Sequence, residues 1–155
     1  MYAIKKILIT TDFSDYSAAA LDYAISLADT ASAELYLLHV VENSRKQSTT
    51  LEDHARKNMR KFVYENVNEF TCISQVVLSG DPWKEIVRYA QQQHIDVVVI
   101  ATHGRTGLAH AMMGSIAEQV IRHSTIPVLA VKPAAVIEQL ITEKDILNEL
   151  HIDGK

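Results

Sequence analysis

The amino-acid sequence predicts a doubly wound α/β fold built on a parallel sheet. Five short apolar runs rich in β-branched residues alternate with four longer segments in which apolar residues recur at helical spacing. The runs are almost continuously apolar, which is typical of strands covered by helices on both faces of a parallel sheet. This alternation predicts the order β-α-β-α-β-α-β-α-β, with helices on both faces of one open sheet.

The five apolar runs are too short to be globular helices and are therefore predicted to be strands. They comprise residues 7–10, 35–41, 73–78, 97–100 and 128–131, of which the third run is the weakest.

The first two predicted helices have recognisable start signals. Ser14 and Asp15 precede the first helix and can cap it. Thr49 and Glu52 form a Thr-x-x-Glu capping box that opens the second helix, which runs to about residue 69. The apolar stripe of the first helix consists of Ala18, Leu21, Ala24, Ile25 and Ala28.

The third helix is predicted to begin at Asp81-Pro82, because proline needs no amide hydrogen at the first helical position. Its apolar stripe consists of Trp83, Ile86, Val87 and Ala90. The fourth helix is predicted to begin at Gly114-Ser115, and it carries Ile116, Val120 and Ile121.

The sequence divides into a main unit, residues 1–133, and a C-terminal amphipathic extension, residues 134–155. Apolar residues lie on a roughly helical face between residues 136 and 150. Two interpretations remain open: this segment packs on its own domain, or it contacts a second subunit.

Composition excludes several classes of protein. A length of 155 residues and a mass of 17.3 kDa suit one domain. The net charge of -4, without a basic stripe, argues against a general nucleic-acid binder. The single cysteine, Cys72, cannot form an internal disulfide, and no apolar run could serve as a signal peptide or cross a bilayer. We expect a cytoplasmic protein with no nucleic-acid or membrane partner.

In an open parallel sheet, ligands bind at the carboxyl ends of the strands, where the connections diverge. The residues at these ends are therefore candidate site residues. They are Thr10, Thr11 and Asp12 after the first strand, His39 and Val40 in the second, and Ile100, Ala101, Thr102, His103 and Gly104 at the fourth. Asp12 is open to two interpretations, as a ligand contact or as part of the helix cap. His39 is expected to be a hydrogen-bonded core histidine.

The segment between the fourth strand and the fourth helix has features of a phosphate site. Gly104 and Gly114 permit close backbone approach and positive φ, and Ser115 stands where orphan amides and the helix dipole favour an anion. Arg105 adds a positive charge. The alternative is that these glycines are plain turn residues.

Other nucleotide and catalytic signatures are missing from the sequence. It has no Gly-x-x-x-x-Gly-Lys-Ser/Thr motif, no Gly-x-Gly-x-x-Gly after the first strand and no Gly-x-Ser-x-Gly elbow. The seven histidines are scattered, which makes a structural zinc site improbable.

The sequence resembles the universal stress protein family over residues 5–132. The resemblance rests on ordered motifs, namely Lys6-Ile7-Leu8, Thr11-Asp12-Phe13-Ser14, Leu38-His39-Val40, Gly80-Asp81-Pro82, Glu85-Ile86-Val87, Thr102-His103-Gly104-Arg105-Thr106-Gly107, Gly114-Ser115 with Glu118, and Pro127-Val128-Leu129.

This resemblance implies an adenine-nucleotide alpha-hydrolase-like fold with strand order 3-2-1-4-5 and a homodimer through the last strand, residues 126–132. For the ATP-binding subgroup it also implies a nucleotide site, with ATP accompanied by Mg²⁺ or Mn²⁺ on its phosphates. Asp12 and Val40 would then frame the adenine and ribose, and Ile100 would pack on the base. The phosphates would contact Gly104, Arg105, Gly114, Ser115 and Ile116, with Gly107 in the same loop.

The subgroup pattern is Gly-x-x-Gly-x(9)-Gly-Ser/Thr, and this sequence departs from it at one position. Ala101 stands at the first glycine, whereas Gly104, Gly114 and Ser115 fit. The added methyl would crowd a phosphate only if the backbone there were not extended.

Three functions follow as hypotheses. The first is an ATP-binding stress-response module that is not primarily an enzyme. The second is a dimeric interaction protein that binds no nucleotide. A slow ATPase is the third.

Overall fold

The computed structural model describes residues 3–42, 48–69, 71–104 and 113–132. The predictions for Arg105, Gly107 and the extension at residues 134–155 therefore lie outside the described residues. The described residues form five strands and four helices in the predicted alternation. The strands are β1 (Lys6–Thr10), β2 (Glu34–Glu42), β3 (Ile73–Gly80), β4 (Val97–Ala101) and β5 (Val128–Val131). The helices are α1 (Asp15–Ala31), α2 (Ser48–Asn66), α3 (Pro82–Gln92) and α4 (Ser115–His123).

The five strands form one parallel sheet in the order β3-β2-β1-β4-β5. Strand β1 is central, with Ile7 opposite Leu35 of β2 on one side and Val97 of β4 on the other. The order implied by the family resemblance is confirmed, and so is the placement of the first and fourth strands side by side.

Alternate side chains of the strands pack against different helices. Ile7 and Ile9 pack with α1 and α2 on one face, whereas Leu8 packs with α3 and α4 on the other. Ile7, Leu8 and Ile9 are all fully buried, so both faces of β1 are covered by helices. This burial explains why apolar and polar residues do not alternate along β1.

The helix starts agree with the predicted signals, with one exception. The Ser14 side chain caps α1 by accepting a hydrogen bond from Ser17 N, and Pro82 occupies the first turn of α3. Helix α2 begins at Ser48, so Thr49 lies within its first turn rather than at its cap, and the helix ends at Asn66 rather than near residue 69. End turns differ in this way because they depend on local backbone geometry that a sequence pattern only approximates.

Asp96 joins β1 to β4 at the edge of the sheet where the strands begin. Its Oδ2 accepts hydrogen bonds from the backbone N–H groups of Lys5 at 2.8 Å and Lys6 at 2.9 Å. These two bonds lower the pKa of the Asp96 carboxyl below its ordinary value. The Asp96 N–H in turn donates to the carbonyl of Lys6 at 2.9 Å.

Candidate functional site

A cavity of about 420 Å³ opens at the carboxyl end of the sheet, between β1 and β4. Strand β1 leads to α1 on one face and β4 leads towards α4 on the other, so the two connections diverge there. This is the switch-point crevice in which α/β sheets bind ligands.

Twelve of the fourteen predicted site residues line this cavity, and the other two, Arg105 and Gly107, lie outside the described residues. The twelve are Thr10, Thr11, Asp12, Val40, Ile100, Ala101, Thr102, His103, Gly104, Gly114, Ser115 and Ile116. The structure thus brings together residues from β1, β2, β4 and α4 that are separated by up to about a hundred positions in the sequence.

Seven further residues line the cavity. His39 was named at the end of the second strand but was expected to be a core histidine. The other six were not among the candidate residues, and they are Ser17, Leu38, Glu42, Pro82, Ile86 and Ala117. Leu38 and Glu42 lie on the same strand as Val40, so their position on β2 was the signal that could have found them. Pro82 and Ile86 reach the cavity only because α3 covers that face of the sheet, which no local pattern predicts.

A hydrogen-bonded turn fixes the end of β1. Thr11 N donates to the Leu38 carbonyl at 2.9 Å, and the Thr11 carbonyl lies 2.8 Å from Nδ1 of His39. The Oγ1 of Thr11 accepts from Phe13 N at 2.9 Å and is also 2.9 Å from the Oγ of Ser17. Because these bonds reach β2 and α1, the Thr11 backbone is held from both sides.

Phe13 follows in a backbone conformation that side-chain-bearing residues rarely adopt, with φ of 65°. Its ring stacks on His39, with centroids 4.2 Å apart, and meets Phe62 edge-on at 5.8 Å. These contacts hold the residue in its left-handed conformation. His39 is hydrogen-bonded, as predicted, but it is half-buried and lines the cavity rather than lying in the core.

Asp12 supports the helix cap and also lines the cavity. Its Oδ1 accepts hydrogen bonds from Ser14 N at 3.0 Å and Ser14 Oγ at 2.5 Å. Ser14 Oγ meanwhile accepts from Ser17 N, 3.2 Å away, as the helix cap. Asp12 therefore supports the cap while its half-buried side chain lines the cavity.

The two glycines of the predicted phosphate segment do not have the positive φ that the sequence analysis allowed for. Gly80 is the only glycine with positive φ in the described part of the chain, and Gly114 has φ of -57°. Instead, a side chain at either position would have too little space. A Cβ on Gly104 would lie 2.7 Å from Oδ2 of Asp12, and one on Gly114 would lie 3.3 Å from the Thr102 carbonyl oxygen.

The first turn of α4 faces the cavity. Gly114 is its N-cap without a side-chain hydrogen bond, and Gly114 N donates to the Thr102 carbonyl at 2.7 Å. Ser115, Ile116 and Ala117 line the cavity from the first turn of the helix. The amides of a first helical turn have no intrahelical acceptor, so the positive end of α4 is directed to this space.

Ala101 is the last residue of β4 and pairs with Val131. The backbone there is extended, which is the condition under which an alanine replaces glycine without strain. Its methyl packs with the cluster on the α1 side of the sheet.

His103 is buried, with only 7% of its surface exposed. Its Nδ1 lies 2.8 Å from Oγ1 of Thr102, and its buried Nε2 has no hydrogen-bond partner within the structure described. Its ring centroid is 6.4 Å from that of Tyr16. The side chain therefore packs between the end of β4 and the start of α1.

A family model described as "Universal stress protein family" matches residues 3–132. Among curated proteins, the universal stress protein MJ0531 of Methanocaldococcus jannaschii is 36% identical over 140 residues, covering 83% of this chain and 82% of its own length. The chain belongs to the universal stress protein family. This assignment confirms the resemblance deduced from the sequence motifs.

Solved structures of universal stress proteins share the architecture. The structure of MJ0577 is 29% identical, with a TM-score of 0.76, and covers 85% of this chain and 98% of its own. A universal stress protein from Archaeoglobus fulgidus, solved in complex with dAMP, is 21% identical with a TM-score of 0.68 and covers 84% of this chain and all of its own (100%). The adenine-nucleotide alpha-hydrolase-like fold is thereby confirmed for this universal stress protein.

Two features are absent from the described residues. No group of three or more His, Cys, Asp or Glu side chains is arranged there to hold a metal ion. No helix there has the length and apolar character needed to cross a membrane.

Proposed function

We propose that this universal stress protein binds an adenine nucleotide, ATP, in the cavity between β1 and β4 and acts as a stress-response module rather than primarily as an enzyme. The observation that carries the proposal is the cavity itself, which places an apolar region and a helix N-terminus within one space. Its volume of about 420 Å³ lies within the range of small-molecule sites.

The apolar side of the cavity suits a planar base. Leu38 and Ile100 are buried beneath it, and Val40 and Ile86 add further aliphatic surface. Aliphatic side chains that converge from two strands and a helix provide a slot in which a flat heterocycle buries both faces. Val40 and Ile100 are the residues that the family resemblance implies for the adenine.

The opposite side suits the sugar and phosphates. Asp12 offers carboxylate oxygens that accept hydrogen bonds from hydroxyl groups, and the first turn of α4 offers backbone amides to phosphate oxygens. Because the chain has a net charge of -4, the attraction of a polyphosphate must come from these local groups rather than from the overall field. Mg²⁺ or Mn²⁺ would be carried by the phosphates, which need few protein ligands.

The Archaeoglobus fulgidus structure contains dAMP, but at 21% identity it shows the fold alone. The proposal for this chain therefore rests on its own cavity residues. Turnover of ATP is expected to be slow, because the sequence motifs offer no catalytic base for the γ-phosphate and positioning alone supports only slow hydrolysis.

The deciding experiment is calorimetric titration of the full chain with ATP and Mg²⁺, together with mass spectrometry of any small molecule that co-purifies. Saturable binding supports the proposal. Absence of both binding and a co-purifying nucleotide would contradict it and favour a dimeric interaction protein that binds no nucleotide.

A matched pair of variants tests where the phosphates bind. Gly114→Asp places a carboxylate at the N-terminus of α4 and should lower ATP affinity at least about tenfold, because it repels phosphate and opposes close approach. Thr125→Asp adds the same charge at an exposed position beyond the other end of α4 and should leave the affinity nearly unchanged. Equal affinities of the two variants would place the phosphates elsewhere.

We also propose a homodimer through β5 and its flanks, residues 126–132. Strand β5 is an edge strand that pairs with β4, and its Leu129 side chain is 41% exposed. An exposed edge with apolar side chains is a ready template for pairing with a second chain.

A further inference from the structure

We propose that Gly104 is a positioning residue for Asp12, and that its small size seats the Asp12 carboxylate in the nucleotide cavity. This inference rests on the proposed nucleotide binding and deepens it. It differs from the role that the family resemblance implies for Gly104, which is contact with the phosphates.

The first step of the argument is that Gly104 has no conformational need to be glycine. Its φ is outside the left-handed region, since Gly80 is the only glycine with positive φ among the described residues. An alanine would therefore be compatible with the backbone at this position. The requirement for glycine must come from space.

The second step identifies what occupies that space. A Cβ on Gly104 would lie 2.7 Å from Oδ2 of Asp12 and 3.7 Å from its Cγ. The first distance is shorter than van der Waals contact permits, so the carboxylate or the backbone would have to move. Within 4 Å of that Cβ position there are no heavy atoms of other described residues, apart from the chain neighbours of Gly104.

The third step is that the Asp12 carboxylate has little freedom to move. Its other oxygen, Oδ1, accepts from both the N–H and the hydroxyl of Ser14. Ser14 is in turn held as the N-cap of α1 through Ser17. Rotation of the carboxylate away from a new methyl would therefore disrupt the bonds that orient it and the cap of α1.

The consequence is a steric link between the ends of β1 and β4. Residue 104 must lack a side chain for the carboxylate of residue 12 to remain where it faces the cavity. A substitution at Gly104 should therefore lower ligand affinity by displacing Asp12, and so by weakening the contact between Asp12 and the ligand. The loss of affinity should not depend on the number of phosphates that the ligand carries.

The test uses Gly104→Ala, Asp12→Ala and the double variant of the full chain, titrated with adenosine, AMP and ATP. Gly104→Ala should lower the affinity for all three by a similar factor, about tenfold. In the Asp12→Ala background the same change should lower affinity less than about twofold, because the opposing atoms have been removed. The inference would be overturned if the loss of affinity caused by Gly104→Ala grew with the number of phosphates. It would also be overturned if the losses of the two single variants added fully in the double variant.

Gly114→Ala provides the contrast, since its Cβ would meet the Thr102 carbonyl and not Asp12. Its effect should add to that of Asp12→Ala and should be larger for ATP than for adenosine. If Gly114→Ala shows the same non-additivity with Asp12→Ala, the link is not specific to Gly104 and the inference is wrong.

Unfolding by urea separates this inference from the proposed function. Gly104→Ala should lower the free energy of unfolding in the wild-type and Asp12→Asn backgrounds, because Asn keeps the shape of Asp, but much less in Asp12→Ala. If the wild type binds none of the three ligands, the proposed function fails, and the assignment of Asp12 to a ligand fails with it. Equal destabilisation in all three backgrounds would refute the steric link even if ATP binds.

Discussion

At the residue scale, the molecule uses glycine for two different physical reasons. Gly104 and Gly114 are needed where space is short, whereas Gly80 is needed for its backbone conformation, with φ of +152°. The sequence allowed these two glycines both close backbone approach and positive φ, and neither of them has positive φ. Spacing along a chain shows where a glycine stands, but only the neighbours in space show why.

Gly80 yields a stability prediction. Gly80→Ala should destabilise the protein by roughly 1–3 kcal/mol, because alanine rarely adopts this φ and its Cβ would lie 2.7 Å from Cγ of Glu85. In a Glu85→Ala background the contact is relieved and only the backbone strain remains, so the loss should be smaller. Urea unfolding measures both. No destabilisation in either background would contradict the assigned conformation.

Asp96 yields a pH prediction. Two backbone N–H donors hold the pKa of its carboxyl below the ordinary value, so this group stabilises the fold above the pKa it has when unfolded, near 3.8. The stabilisation is lost as the pH falls through the lower folded-state pKa.

Asp96→Asn should therefore lower the free energy of unfolding by about 1 kcal/mol at neutral pH, with the difference from wild type shrinking below about pH 4. Urea unfolding at several pH values measures the difference. Asp22→Asn, on the exposed side of α1, controls for removal of one charge. A difference that stays constant down to pH 3 would show that the carboxylate bonds are not responsible.

At the scale of elements, the strands and helices were predictable because their burial leaves a pattern in the sequence. Ile7, Leu8 and Ile9 are all buried, two against one helical layer and one against the other, so the run is continuously apolar. The start of α2 differs by two residues, since a cap at Thr49 would begin the helix at residue 50 but the helix begins at Ser48.

The candidate site was predictable where it lies at strand ends. Thr11, Asp12 and Val40 follow directly from the rule for open sheets, and they line the cavity. Pro82 and Ile86 were missed because their approach depends on how α3 packs across the sheet. The steric link between Asp12 and Gly104 was likewise invisible, since it joins residues about ninety positions apart.

The edge strand β5 carries a prediction at this scale. Leu129→Glu should weaken the proposed homodimer by placing a charge on an exposed apolar edge. Analytical ultracentrifugation would show a shift from dimer to monomer at the same protein concentration. Asn58→Asp, on the exposed side of α2, is the control for one added negative charge. The proposed interface would be contradicted if the wild-type protein were a monomer, or if Leu129→Glu left the dimer unchanged.

At the scale of the whole molecule, ligand binding should appear as increased stability. ATP at about 100 times its Kd should stabilise the fold by about 2.7 kcal/mol, which for a chain of this length raises the Tm by roughly 5–10 °C. Differential scanning calorimetry measures the shift, and Gly114→Asp, with its affinity lowered at least about tenfold, should show no more than about half of it at the same concentration. A wild-type Tm that is independent of ATP would argue against binding to the folded state.

The Asp96 clamp and the cavity lie at opposite edges of the same sheet. Hydrogen bonds to Lys5 and Lys6 secure the beginnings of β1 and β4, while cavity-lining residues occupy the ends of those strands. We therefore expect that loops at the cavity edge can be rebuilt without disturbing the Asp96 clamp between the two central strands. This separation makes the chain a suitable scaffold for engineering new small-molecule specificities.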